Sequence, residues 1–248
     1  MDSLKPRKIR AVIFDIGGVV VQSPFLAISA YEREHKLPAN YINVSLSKHG
    51  SSGAFQRYER GELTYTAFVD AWTDELNDVA ANNTAYLAYL RRRSLDTRMV
   101  LPARLRINAS VLFARMMRVA ETPHECVVEL VRWLRRSGYR VAALTNNFQN
   151  DQTSGKMRDE LLGGLFDAFV ESSVVGLRKP DPKFYMHACN LLEIAPEEAV
   201  FLDDIGKNLR AADRLGMTAV QVEIGREQEA VDTVKKIIRA RGAFESRL

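Results

Sequence analysis

The chain repeats one pattern: a short run of β-branched and aromatic residues followed by a segment with helical periodicity. The runs are Ile9 to Asp15, Arg140 to Thr145, Ala168 to Glu171, Ala199 to Asp203 and Thr218 to Val222. The helical patterns are His124 to Arg136, Lys156 to Leu165, Pro182 to Leu192, Lys207 to Leu215 and Gln228 to Arg241. Runs that are apolar throughout, rather than alternating, belong to strands buried on both faces, and strands alternating with helices of this length form βαβ units. The expected fold class is therefore α/β: a Rossmann-like, doubly wound parallel sheet.

Between the first and second runs the pattern changes. Segments Phe55 to Arg60, Tyr65 to Leu76, Thr84 to Arg93 and Leu112 to Val119 carry helical periodicity, and no strand separates them. This reads as an inserted all-helical cap over residues 23–120, with the sheet-bearing core made of residues 1–22 and 121–248. An insertion directly after the first strand is expected above that strand's carboxyl end, where open α/β sheets bind ligands.

Composition narrows the class without naming a function. A chain of 248 residues with 46% hydrophobic and 27% charged residues is neither collagen-like nor disordered, and it is long enough for one or two domains with a real core. Lys and Arg number 35 against 31 Asp and Glu, dispersed along the chain, so nucleic acid is not expected as a partner. No run of 18 apolar residues suggests a membrane partner. Cys126 and Cys189 sit in apolar surroundings and read as buried thiols in a reducing compartment, not as a zinc or disulfide framework. The ending Ser246-Arg247-Leu248 is close to the tripeptide read by a peroxisomal import receptor. The expected location is the peroxisome in a eukaryotic source and the cytoplasm otherwise; oligomeric state is not legible.

The polar residues at the ends of the runs carry the chemistry. Asp15 ends the first run, Thr145-Asn146 the second, and Asp203-Asp204 a later one, while Lys179 lies in GLRKPDPKFY ahead of a helix. In a doubly wound sheet these positions share one crevice. Like charges about 4 Å apart repel by roughly 4 kcal/mol at an effective dielectric of about 20, so three carboxylates there call for a cation. Oxygen-only ligation favours Mg²⁺, which keeps waters and takes phosphate oxygens as further ligands. Thr145 and Lys179 then supply a hydroxyl and a point charge to a phosphoryl group, joined by backbone N–H groups after Asp15, the first being that of Ile16. Asp15, screened by metal and lysine, is expected to attack phosphorus and form an aspartyl-phosphate that water hydrolyses.

The segments VIFDIGGVVV, AALTNNF, VVGLRKPDPKFY and VFLDDIGKNLRAADRLGM, in this order, resemble the motifs of the haloacid dehalogenase (HAD) superfamily. GAFQRYERGELT adds a likeness to the N-terminal phosphatase domain of soluble epoxide hydrolases and its single-domain relatives. The resemblance implies Asp15 as nucleophile, Thr145 as phosphate-binding hydroxyl, Asn146 as a backbone donor and Lys179 as charge stabiliser. It implies Asp204 as a direct Mg²⁺ ligand, Asp203 acting through a coordinated water, and Asn208 bracing the acidic loop. Tyr58 and Arg60, inside the cap motif, become candidate substrate contacts. The expected substrate is a small phosphorylated metabolite.

One position departs from the family pattern. Phosphatases of this family carry a second aspartate two residues after the nucleophile, as general acid and base, and here that residue is Gly17. Its carbonyl can still serve the metal, but the proton-transfer group is missing, a role typically worth about 10² to 10⁴ in rate. The alternatives are a weak or inactive phosphate-binding or scaffold protein and, third, a haloacid dehalogenase, against which the acidic pair argues. The histidines show no ligand spacing and read as solvated or satisfied, with His49, beside the flexible HGSSG segment, as an alternative proton donor from the cap. The arginines from Arg91 to Arg118 read as a solvated helix face with buried stems.

Overall fold

In a computed structural model the described residues are 7–148 and 164–243. The helical pattern expected from Lys156 falls almost wholly outside them, as does Ser246-Arg247-Leu248. The chain divides into two compact units, one made of Met1–Ser23 with Ala120–Leu248 and the other of Pro24–Val119. No helix among the described residues is long and apolar enough to cross a membrane.

The first unit is built on five parallel strands: β1 (Ala11–Phe14), β2 (Arg140–Thr145), β3 (Ala168–Glu171), β4 (Ala199–Asp203) and β5 (Thr218–Gln221), in the order β3-β2-β1-β4-β5. Ala11 lies opposite Arg140 on one side and Ala199 on the other, so the central strand is paired along both edges. With Cβ directions alternating and both faces covered, the central strand β1 is apolar throughout, while the edge strands β3 and β5 are only partly buried. Val12 and Phe14 face one cluster with Val127 and Val131 of the helix Glu125–Arg136 and Val231 and Val234 of Glu227–Arg241. Ala11 and Ile13 face the other, with Phe184 and Ala188 of Pro182–Leu191 and Leu209 and Ala212 of Gly206–Arg214. Consecutive connections leave β1 to one side for β2 and return to the other side for β4. The sheet thus has its topological switch between β1 and β4, beside the end that carries Asp15.

The second unit contains helices α1 (Phe25–Glu34), α2 (Tyr41–Lys48), α3 (Ala54–Glu59), α4 (Tyr65–Asn77), α5 (Val79–Arg92) and α6 (Ala109–Val119). Its interior is aromatic. Phe68 of α4 stacks on Tyr58 of α3 at 4.3 Å and on Trp72 at 5.2 Å, with Phe113 of α6 edge-on at 5.2 Å. Thr64 and Asp78 cap α4 and α5 by accepting the backbone N–H groups of Ala67 and Ala81.

Several local expectations are corrected here. Within HGSSG, Gly50–Ser52 forms a 3₁₀ turn shortly after α2. The arginine stretch is not one helix, because α5 stops at Arg92, α6 begins at Ala109 and the chain between is non-helical. Cys189 is buried, but Cys126 is only half-buried at the edge of the core.

Candidate active site

Asp15 continues the β1–β4 pairing, its N–H donating to the Leu202 carbonyl at 2.9 Å, so its side chain leaves the sheet beside the end of β4. Asp203 ends that strand and Asp204 opens the following turn. One carboxylate oxygen from each of the three lies within 4.8 Å of the others. Lys179 reaches this group from the loop before the helix Pro182–Leu191. Its Nζ, wholly buried, stands 2.8 Å from Asp15 Oδ1 and 2.8 Å from Asp203 Oδ2.

Each carboxylate is held differently. Asp15 Oδ1 takes both the Lys179 ammonium and the N–H of Ile16 at 2.7 Å, and no donor among the described residues addresses Oδ2. The Ile16 N–H is thus engaged by Asp15 itself rather than facing outward for a phosphate oxygen, as a donor one residue from its acceptor readily closes that ring. Asp203 is saturated: Oδ1 accepts from Ile205 N–H at 2.8 Å, and the Asn208 amide donates to both oxygens at 3.1 Å. Asp204 receives the Ser23 hydroxyl on Oδ2, at a long 3.4 Å. Gly18, at φ +85°, lies directly under it, and a Cβ there would stand 2.3 Å from Asp204 Oδ2. Gly17 occupies the same turn, one residue before that approach.

The electrostatics follow from burial. Loss of solvent pushes the Asp15 carboxyl well up, Lys179 opposes this, and Asp203 and Asp204 add to it. Asp204 is pushed up to about 7, chiefly by burial and then by Asp203. Burial works to lower the Lys179 ammonium, but Asp15 and Asp203 together hold it above its ordinary range. Three carboxylates against one ammonium leave a formal charge of −2 when all are ionised. A divalent cation matches that deficit, and the all-oxygen donor set suits Mg²⁺. Asp204, whose carboxylate meets the long Ser23 contact, fits as a carboxylate ligand, and Asp15 lies within reach of the same ion.

Of the other expected residues, Thr145 is buried at the end of β2. Asn146 does more than offer a backbone group: its side-chain Oδ1 accepts the Lys179 N–H at 2.8 Å while Nδ2 donates to the Lys179 carbonyl at 3.2 Å. Asn208, in the first turn of its helix, braces Asp203, and the Tyr185 hydroxyl donates in turn to the Asn208 carbonyl at 3.0 Å. Tyr58 and Arg60 belong to the helical unit. Tyr58 is 1% exposed inside the aromatic stack, which is its packing role, and Arg60 pairs with Glu62 at 2.5 Å and donates to the Ser51 carbonyl at 2.8 Å. Sequence reasoning missed Ser23, Tyr185 and the Asn146 amide clasp. None follows from periodicity, and only the doubled glycine hinted at the close approach under Asp204.

A family model for haloacid dehalogenase-like hydrolases matches residues 9–216. The chain is 29% identical over 94% of its length to acyl-CoA dehydrogenase family member 10 of Mus musculus, and 28% identical over 86% to bifunctional epoxide hydrolase 2 of Sus scrofa. It spans 19% and 36% of the lengths of those two relatives. Over 43% of its length it is 33% identical to glyceraldehyde 3-phosphate phosphatase of Methanopyrus kandleri, covering 46% of that protein. The solved structure of a HAD family enzyme from Bacteroides thetaiotaomicron, in complex with magnesium and inorganic phosphate, superposes with a TM-score of 0.55 at 20% identity, covering 88% of this chain and 96% of the other. With its parallel sheet, its acidic crevice at the switch point and a family match over most of its length, the chain belongs to the haloacid dehalogenase-like hydrolases.

Proposed function

We propose that the chain is a Mg²⁺-dependent phosphohydrolase acting on a small phosphorylated metabolite through a phosphorylated Asp15. The observation that carries this reading is the asymmetric presentation of Asp15: two donors fix Oδ1, and Oδ2 is left to attack. Attack of Oδ2 on phosphorus forms the new P–O bond while the leaving oxygen departs with its bonding electrons. Water then attacks the same phosphorus, Asp15 is released as carboxylate, and phosphate leaves. Lys179, locked between Asp15 and Asp203, holds positive charge beside the phosphoryl oxygens as negative charge builds there. Thr145 offers its hydroxyl from the end of β2. A divalent cation would be held by Asp204, Asp15 and the Gly17 carbonyl and would supply the charge that screens these carboxylates from an anionic substrate, while Asp203, its oxygens taken by Lys179, Ile205 and Asn208, keeps the lysine in place.

Gly17 bears no proton donor, so the reading favours substrates whose leaving oxygen needs little protonation, such as acyl or anomeric phosphates. The likeness to a phosphatase supports phosphoryl rather than carbon–halogen chemistry, as does the paired acid at 203 and 204. The test is phosphate release with Mg²⁺ from a panel of acyl, anomeric and alkyl phosphates. Release from the first two classes that falls by about 10³ or more in Asp15→Asn supports the reading. Metal-dependent binding without release across the panel would instead identify a phosphate-binding protein.

A further inference from the structure

The helical unit contains a second feature that the proposed chemistry does not use. Between the end of α1 and the non-helical stretch ahead of α6 lies a cavity of about 390 Å³. Its floor is apolar: Leu37 and Leu105 are half-buried there and pack against the Tyr41–Tyr86–Leu90 cluster behind them. Its rim is cationic, carrying Lys36, Arg104 and Arg106, and no carboxylate lines it among the described residues.

The nearby acids are committed elsewhere. Glu34 pairs with Arg115 at 2.5 Å, and Glu32 accepts the backbone N–H groups of Asn40 and Ile42 at 2.9 and 2.7 Å. By contrast, the side chains of Lys36, Arg104 and Arg106 meet no acceptor among the described residues, although the chain is well supplied with acids that could have paired them. His35 borders the same cavity, stacked on Tyr31 at 3.9 Å, its Nδ1 donating to the Tyr31 carbonyl at 3.0 Å, which turns the other ring nitrogen away from that bond. Unneutralised cations around a concave apolar surface concentrate anions and select those with an apolar portion to bury. The arginines at 104 and 106, which the sequence suggested as part of a solvated helix face, are placed here on a non-helical wall.

From this juxtaposition we propose that the cavity binds a single-chain amphipathic anion, its head at the Lys36–Arg104–Arg106 rim and its alkyl chain on the Leu37–Leu105 floor. The test uses full-length protein and isothermal titration with decanoate, which carries no phosphoryl group and is no substrate for the acidic crevice. Decyltrimethylammonium supplies the same tail with the opposite charge, and acetate the head alone. Decanoate should bind, and affinity should rise along the series from hexanoate by up to about fourfold per methylene. Neither control should bind, and Arg104→Glu with Arg106→Glu should weaken decanoate at least tenfold at an unchanged melting temperature. Arg104→Ser alone, at an exposed position, serves if the double reversal unfolds the chain, with a smaller loss expected. Equal binding of the two ten-carbon probes, acetate binding as tightly as decanoate, or decanoate binding indifferent to the arginine substitutions would each overturn the proposal. Because decanoate does not report on phosphate release, a failure here leaves the phosphohydrolase reading standing.

Discussion

In the sheet unit three carboxylates and one ammonium share a nearly dry crevice, whereas the interior of the helical unit is a stack of aromatic rings. The two interiors resist disturbance for different reasons. Removing a ring leaves a cavity, whose cost depends on how far the neighbours collapse and not on ions in solution. Removing a charge from the crevice leaves its partners buried and unbalanced, and a cation can make good much of that loss. The difference between the units is therefore one of ion dependence more than of magnitude.

Phe68→Ala and Lys179→Met should each cost about 3–5 kcal/mol of stability, the first through a cavity and the second by stranding Asp15 and Asp203. Chemical denaturation with and without Mg²⁺ separates them: the ion should recover stability in Lys179→Met and leave the Phe68→Ala deficit unchanged. Equal responses would erase the contrast. Lys179→Met should also abolish phosphate release even where Mg²⁺ restores the fold.

The pH dependence sharpens the same comparison. A carboxyl at about 7 in the folded chain, against an ordinary value of 3.8, binds a proton only when folded between those two values. Metal-free protein should therefore lose stability as pH rises through that window, by a few kcal/mol at most, because each tenfold gain in proton affinity on folding is worth about 1.4 kcal/mol. Asp204→Asn should flatten the slope of melting temperature against pH, while Phe68→Ala should keep it. The smallest effect is expected for Gly18→Ala. A Cβ there meets Asp204 at 2.3 Å in a left-handed backbone, a strain of about 1–3 kcal/mol that should appear mainly as weakened Mg²⁺ affinity.

The two units also differed in how much their sequences disclosed. The strands fell within Ile9 to Asp15, Arg140 to Thr145, Ala168 to Glu171, Ala199 to Asp203 and Thr218 to Val222; in β1, β2 and β4 burial on both faces leaves a mainly apolar run, and the partly buried β3 and β5 keep shorter ones. In the helical unit α1 and α2 gave no such signal. A buried Glu32 in α1 holds the N–H groups of Asn40 and Ile42, and a buried Ser45 sits in α2, so polar residues occupy positions where periodicity looks for apolar ones. Helix α5 begins at Val79 rather than Thr84 for the same reason: its first buried position is Asn82, which donates to the Glu75 and Leu76 carbonyls. In the crevice, motif order brought forward Asp15, Lys179, Asp203 and Asp204, whose types declare their chemistry. Ser23, Tyr185 and the Asn146 side chain act through single hydrogen bonds across the fold, and such bonds leave no periodic trace.

The clasp of Asn146 on Lys179 has one more consequence. A single amide grips the lysine's backbone at both its N–H and its carbonyl, so the residue that follows strand β2 shares with Asp15 and Asp203 in fixing where the ammonium stands. Replacing the amide with a group that offers only one face would loosen the lysine's backbone and leave its ammonium held by the two carboxylates alone.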